Sequence, residues 1–374
     1  MTSSTPAIRP DTADLDRVIA EAENSAVVIW RGEGVPFPFV PERIAELSSR
    51  AERDLLYGAY REALEALAPL RRQQLATWTA APDTEAYERA MALATDLEGL
   101  VDHSETPFYA ALRRYLALIG IEQGDATIAD LWHIGRGTPW SHWFGEREVR
   151  RAVAAAGRAV VETAGLGGWR DAEAMLAGPG VDDRLGAAVV DAAYATLAGS
   201  PEWVDEEVGV AAAEIAPVGD FAAFVRLLRL RQDIALLQYE IRLLAGPADP
   251  ALSRAYYAGI VGHMIGVMVP EEGYLHSVPE PYASVRRLEV ALLAGQLVET
   301  LERQFGTTWW REPGARELAA AAEAGETSAD VLAHLGYDGV DWRPVLRQIR
   351  TRLIGEMSGY GGPNITTRAG TRKV

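Results

Sequence analysis

The chain has 374 residues, 48% hydrophobic and 24% charged, with 36 basic against 53 acidic side chains for a formal net charge of -17. Such a composition suits a globular protein with room for a sizeable core, and its charge repels phosphate backbones, which excludes nucleic acid as an expected partner. The absence of cysteine excludes disulfides, thiolate catalysis and cysteine-bound metals.

Helix dominates in chain order. The opening MTSSTPAIRPDTADLD has neither a basic nor an apolar stretch, so no secretory leader is expected and a cytoplasmic location is the default. A helix is predicted from Asp11 to Glu23, with Leu15, Val18, Ile19 and Ala22 on one face. The run AVVIW, Ala26 to Trp30, reads as a short extended segment. A long amphipathic helix is predicted from Glu42 to Thr79, open to interruption at Pro69. Asp83 caps a helix running to Val101, and Thr106 to Ile119 forms another with proline just inside its start.

The periodicity then fails. DLWHIGRGTPWSHWFGE, Asp130 to Glu146, reads as a loop. Helices resume at Glu146 to Glu162, Arg170 to Leu176, Asp182 to Leu197, Pro201 to Ala213, Phe221 to Leu244 and Ala251 to Val269. The loop PEEGYLHSVPEP leads into a helix from Tyr282 to Phe305, followed by Ala315 to Glu323, Ser328 to Leu335 and Trp342 to Met357. The apolar stretch Tyr256 to Pro270 is too short to span a bilayer, so no membrane partner is expected. The expectation is an all-α fold with an N-terminal helical lobe (1–120), a second helical lobe (121–357) and a tail (358–374).

Several side chains are candidates for chemistry. His133 and His142 flank a Gly–Thr–Pro turn and could converge, but two histidines make a poor metal site. With Trp140 and Trp143 they either line an aromatic ligand pocket or anchor the segment, together with Trp132, on the helical body. Tyr274, His276 and Tyr282 precede Arg286 and Arg287; imidazole and phenols can donate to a developing oxyanion, and an arginine can clamp a carboxylate. His263, inside GIVGHMIGVMV, reads as a core residue, or as a neutral base if it lines a cavity. Tyr239, Glu240 and Arg242 share a long helix, with Asp233 two turns before Glu240 on the same face. Either this is an exposed charge row, or a buried Glu240 acts as general base.

Three segments carry a family resemblance: FVRLLRLRQDIALLQYEIRLLAG, PEPYASVRRLEVALLAGQLVETLERQFGTTWW and SADVLAHLGYDGVDWRPVLRQIR. With the upstream TPFYAALRRYLALIG and IADLWHIGRG, the chain from Asp96 to Arg350 resembles the helical region of metallopeptidases of the thimet oligopeptidase and oligoendopeptidase F type. That family holds zinc through HExxH and a glutamate on the following helix, and no HExxH occurs in this chain. Matching SPEWV, Ser200 to Val204, to its family counterpart puts the three HExxH positions on Ala174, Met175 and Gly178, and the further glutamate near Ala188. The strands that precede the zinc helix also have no counterpart. The resemblance therefore implies an oligopeptidase-like helical frame whose zinc-domain sheet is lost, with no metal and no cofactor. It also puts the oxyanion-binding loop at Tyr274, His276 and Tyr282.

Two functions follow as expectations. One is a metal-independent enzyme using His276, Tyr282, Arg286, His263 and Glu240 in an inter-helix cavity lined by Tyr239 and Tyr274. It would cyclise, isomerise, eliminate from or transfer an acyl group on a small or peptide-like biosynthetic intermediate. The other is a non-catalytic pseudopeptidase that holds a peptide or a partner protein.

Overall fold

A computed structural model describes residues 12–135, 185–208, 212–246 and 249–355, and over these the fold is predominantly helical. The expected AVVIW strand is one arm of a hairpin. β1 (Val27–Trp30) pairs antiparallel with β2 (Glu33–Pro36), Val28 opposite Val35 and Trp30 opposite Glu33. Arg31 and Gly32 both take positive φ, 53° and 82°, as a two-residue turn matched to strand twist requires.

The helices are α1 (Thr12–Ser25), α2 (Val40–Glu46), α3 (Arg50–Ala80), α4 (Thr84–Asp96), α5 (Glu98–Leu118) and α6 (Ile128–Gly135). After the segment 136–184 come α7 (Leu185–Ala195), α8 (Ala212–Leu244), α9 (Pro250–Ile265), α10 (Ala283–Phe305), α11 (Pro313–Glu323), α12 (Ser328–Leu335) and α13 (Arg343–Gly355).

Three expectations about helix ends are corrected. The helix foreseen from Glu42 to Thr79 breaks at Leu47–Ser49, where the backbone is extended, and runs unbroken through Pro69. The break is held by Arg53, whose buried guanidinium donates to Leu47 O (2.9 Å) and Ser48 O (3.1 Å), carbonyls that the end of α2 leaves without helical donors. Pro107 lies inside α5, not at its start, because α5 begins at Glu98 directly after the α4 cap at Leu97. The loop foreseen from Asp130 is helical as far as Gly135: Asp130 Oδ2 accepts from Thr127 N (3.0 Å) and Thr127 Oγ1 (3.1 Å), which starts α6.

Two hydrophobic cores form among the described residues. The larger joins Leu97, Phe108, Leu112 and Tyr115 to Phe221, Phe224, Leu237, Leu293 and Leu297, so it draws on residues from both sides of the expected boundary at 120/121. The smaller comprises Val28, Phe37, Val40, Ile44, Leu47, Leu56, Leu64 and Ala129, and Tyr57 and Trp132 pack against both. Within the larger core α10 is buried along much of its length and packs on α7, α8 and α13.

Close approach in this core depends on glycine. A Cβ on Gly186 would lie 2.2 Å from Ala322 O and 2.7 Å from Gly325 O, at the end of α11. Backbone atoms cannot swing aside as a side-chain tip can, so Gly186→Ala is expected to cost about 1–3 kcal/mol, read from the denaturant midpoint.

Candidate functional site

The polar chemistry concentrates on one seam, where α8 meets the first turns of α10. Residues 226, 229, 233 and 240 recur at helical intervals on one face of α8. Glu240 is fully buried. Its Oε2 accepts from Ser284 Oγ at 2.6 Å and from Ser284 N at 3.4 Å, in the first turn of α10. Its Oε1 is buried with no hydrogen-bond partner among the described residues. Burial pushes the carboxyl up to about 7, against the downward pull of the Ser284 hydroxyl and of Arg287. Removing the hydroxyl by Ser284→Ala is therefore expected to move the Glu240 midpoint further up, as a carboxyl-carbon NMR titration would show.

Tyr282 caps α10 in the left-handed region, φ 57° and ψ 29°, an uncommon place for a bulky side chain. It is buried, and burial raises its phenol pKa, with Tyr87, Asp83 and Glu240 adding to the shift. Along α8 from Glu240, Asp233 accepts from Arg287 Nε at 2.6 Å. Burial nevertheless holds the Asp233 carboxyl above its ordinary range, although Arg287 and Arg229 oppose the shift. Farther along, Arg226 donates to Gln348 Oε1 (3.0 Å), and Gln348 Nε2 donates to Gly295 O (3.0 Å). Desolvation pulls Arg226 down to about 10 and lowers Arg229 as well.

Glu240 and Tyr282 sense one another electrostatically, and the exposed-row reading of Glu240 is corrected: the row is half-buried and Glu240 itself wholly so. The arginine that faces α8 is Arg287; Arg286 is exposed. His263 is exposed on α9 rather than in the core, and it is its carbonyl that accepts from the Tyr109 hydroxyl at 2.8 Å.

His276 engages different elements. Its Nε2 lies 3.2 Å from Leu64 O, its Nδ1 lies 3.4 Å from Glu23 Oε1, and its ring packs on Phe37. The carbonyl can only accept, so Nε2 carries the proton. Arg71 holds Glu23 (2.6 Å), and the three side chains tie the 275–278 loop to α1 and α3.

Tyr239 is buried, its ring edge-on to Tyr257 at 5.2 Å, while the Tyr257 hydroxyl pairs with Ser277 Oγ at 2.7 Å. Tyr274 is buried beneath the Arg254 guanidinium, 4.8 Å from its ring centroid. These rings pack on one another and on Arg254 instead of leaving open walls. His133 is buried too; its Nδ1 donates to Ala45 O at 2.8 Å, and desolvation lowers its pKa, keeping it neutral. Trp132 stands edge-on to Tyr57 and Tyr60. Trp140, His142 and Trp143 lie outside the described residues, as do Ala174, Met175 and Gly178, while Ala188 is buried in α7.

Among the described residues no three His, Asp or Glu side chains converge as ligands of a metal ion would, and no helix is long and apolar enough to cross a membrane. A groove of about 670 Å³ between α5 and α13 is lined by His103, Trp342, Leu346 and Arg350, and none of the expected site residues lines it. Ser284, Arg226 and Arg229 are not among the residues singled out from the sequence, whereas Arg287 is named there beside Arg286; the signal for the α8 pair is their spacing from Asp233 and Glu240. Comparison of the chain with family models, with curated proteins and with solved structures gives no match.

Proposed function

We propose that this chain is a metal-independent acid–base catalyst, with Glu240 as the proton-transferring group at the α8–α10 seam. One observation carries the reading: a buried carboxyl has one oxygen held by Ser284, the other without a partner among the described residues, and a pKa pushed up to about 7. General acid–base catalysis works best when the group's pKa lies near the working pH, because both protonation states are then accessible. The Tyr282 phenol, kept protonated by its burial, is near enough for the Glu240 charge to raise its pKa. The Asp233–Arg287 pair fixes the register of the two helices there. Proton transfer at this seam suits a cyclisation, isomerisation, elimination or acyl transfer. A helical frame derived from oligopeptidases favours a small or peptide-like substrate.

The test is turnover of N-acetylated di- and tripeptide acids by the purified protein, followed by mass spectrometry across pH. Turnover is expected to depend on a group titrating near 7 and to fall on the order of 10²-fold or more in Glu240→Gln, with binding little changed. A protein that binds these peptides and transforms none of them would instead be a non-catalytic holder, a pseudopeptidase.

A further inference from the structure

Two charges on the seam lack a counter-charge among the described residues. Several buried or half-buried arginines have a counter-charge: Arg53 pairs with Asp130 (2.8 Å), Arg71 with Glu23 (2.6 Å), Arg254 with Glu65 (2.8 Å) and Arg287 with Asp233 (2.6 Å). Arg231 has no carboxylate but donates to Met264 O (2.8 Å), Ser104 Oγ (2.9 Å) and Val101 O (3.2 Å). Arg226 and Arg229 differ from all of these. Among the described residues Arg226 meets one acceptor, the neutral Gln348 amide, and no carboxylate. Arg229 makes no hydrogen bond among the described residues, and the carboxylate near it, Asp233, is already engaged by Arg287. Withdrawing two guanidiniums from water without a partner is costly, and guanidinium stays charged at neutral pH.

Their arrangement suits a missing partner. They are three residues apart on α8, offset by about 4.5 Å along the axis on one face, and both residues are half-buried. Planar guanidinium forks match the two oxygens of a carboxylate or phosphate.

We propose that Arg226 and Arg229 together bind an oxyanion, and that this anion is the carboxylate of the peptide-like substrate. The second half rests on the acid–base reading of Glu240; the first does not. The eleven residues from Arg229 to Glu240 rise roughly 16 Å along α8, the span of four or five extended residues at about 3.3 Å each. The reach of the side chains shortens this, so the substrate is a short peptide acid with its carboxylate at the arginines; its reacting group meets the buried Glu240 when the seam opens at the Asp233–Arg287 pair between them.

Isothermal titration of the full chain tests this with three probes: inorganic phosphate, Ala-Ala-Ala, and Ala-Ala-Ala amidated at its C-terminus. The tripeptide acid is expected to bind at least roughly tenfold more tightly than its amide, and Arg226→Gln and Arg229→Met are expected to abolish that difference, as loss of a charge-assisted hydrogen bond predicts. Glu240→Gln should bind the acid like wild type, which separates failure of this site from failure of the catalytic reading. Without ligand, Arg229→Met should melt no lower than wild type, since it removes an uncompensated buried charge. Binding of phosphate but not of the tripeptide acid keeps the oxyanion site and overturns the peptide acid. Equal binding of acid and amide, no binding of any probe, or variants that bind like wild type would overturn the proposal. So would a lowered melting temperature in Arg229→Met together with unchanged binding.

Discussion

Replacing Arg53 with methionine is expected to destabilise the fold by about 3–5 kcal/mol, the usual cost of stranding one member of a buried ion pair. Arg53 Nη2 and Asp130 Oδ1 lie 2.8 Å apart, with the two side chains 2% and 0% exposed. Without Arg53 the carboxylate stays in the core with Arg50 Nε at 3.9 Å, and Leu47 O and Ser48 O lose their donor. The double variant Arg53→Met/Asp130→Leu is expected to recover much of the loss, because an apolar pair leaves no stranded charge. Urea denaturation of the set measures this. A double variant as unstable as the single would assign the loss to the α2 carbonyls and to the α6 cap that Asp130 provides for Thr127.

The second large effect concerns pH. The Glu240 carboxyl titrates near 4.5 when unfolded and is raised to about 7 when folded. Between these values the folded state holds a proton that the unfolded state has released, so unfolding releases protons and stability falls as pH rises. The stabilising effect of holding that proton is fully present below the unfolded value and is lost as pH climbs through the folded one. At about 1.4 kcal/mol per pKa unit the swing is on the order of 3 kcal/mol. Glu240→Gln, which cannot ionise, should remove this slope, so its stability relative to wild type improves from pH 5 to pH 8. Parallel slopes for the two proteins would show that the carboxyl ionises as freely in the fold as in water.

Helices whose ends carry their own signals were legible in the sequence. α12 was expected from Ser328 to Leu335 and spans those residues, bounded by a Thr327–Asp330 capping box and by Gly336 in the left-handed region. α10 and α11 match their expected ranges within two residues, α10 stopping at Gly306 with positive φ. α6 was missed because Asp130 and His133 interrupt an apolar pattern. Their burial rests on Arg53 and on Ala45 O, 77 and 88 residues away. Glu240 shows the same limit at the site. A glutamate in a charged helix reads as exposed, and what makes it otherwise is Ser284, 44 residues on. Arg286 and Arg287 could not be told apart, because adjacent residues point about 100° apart and only the packing partner selects one of them.

The smaller core has a dynamic consequence. Its members come from the hairpin, the turn at Phe37, α2 and its C-cap Leu47, the first half of α3, and α6, and it meets the larger core through the half-buried rings of Tyr57 and Trp132. Beyond these rings its ties to the larger part include the His276 contacts with Phe37 and Leu64 O, and a unit whose links are half-buried rings and polar contacts can open while the rest of the molecule stays closed. Amide protons of residues 27–47 should therefore exchange with deuterium through a partial opening, well before those of α8 and α10, whose protection reports the global unfolding free energy.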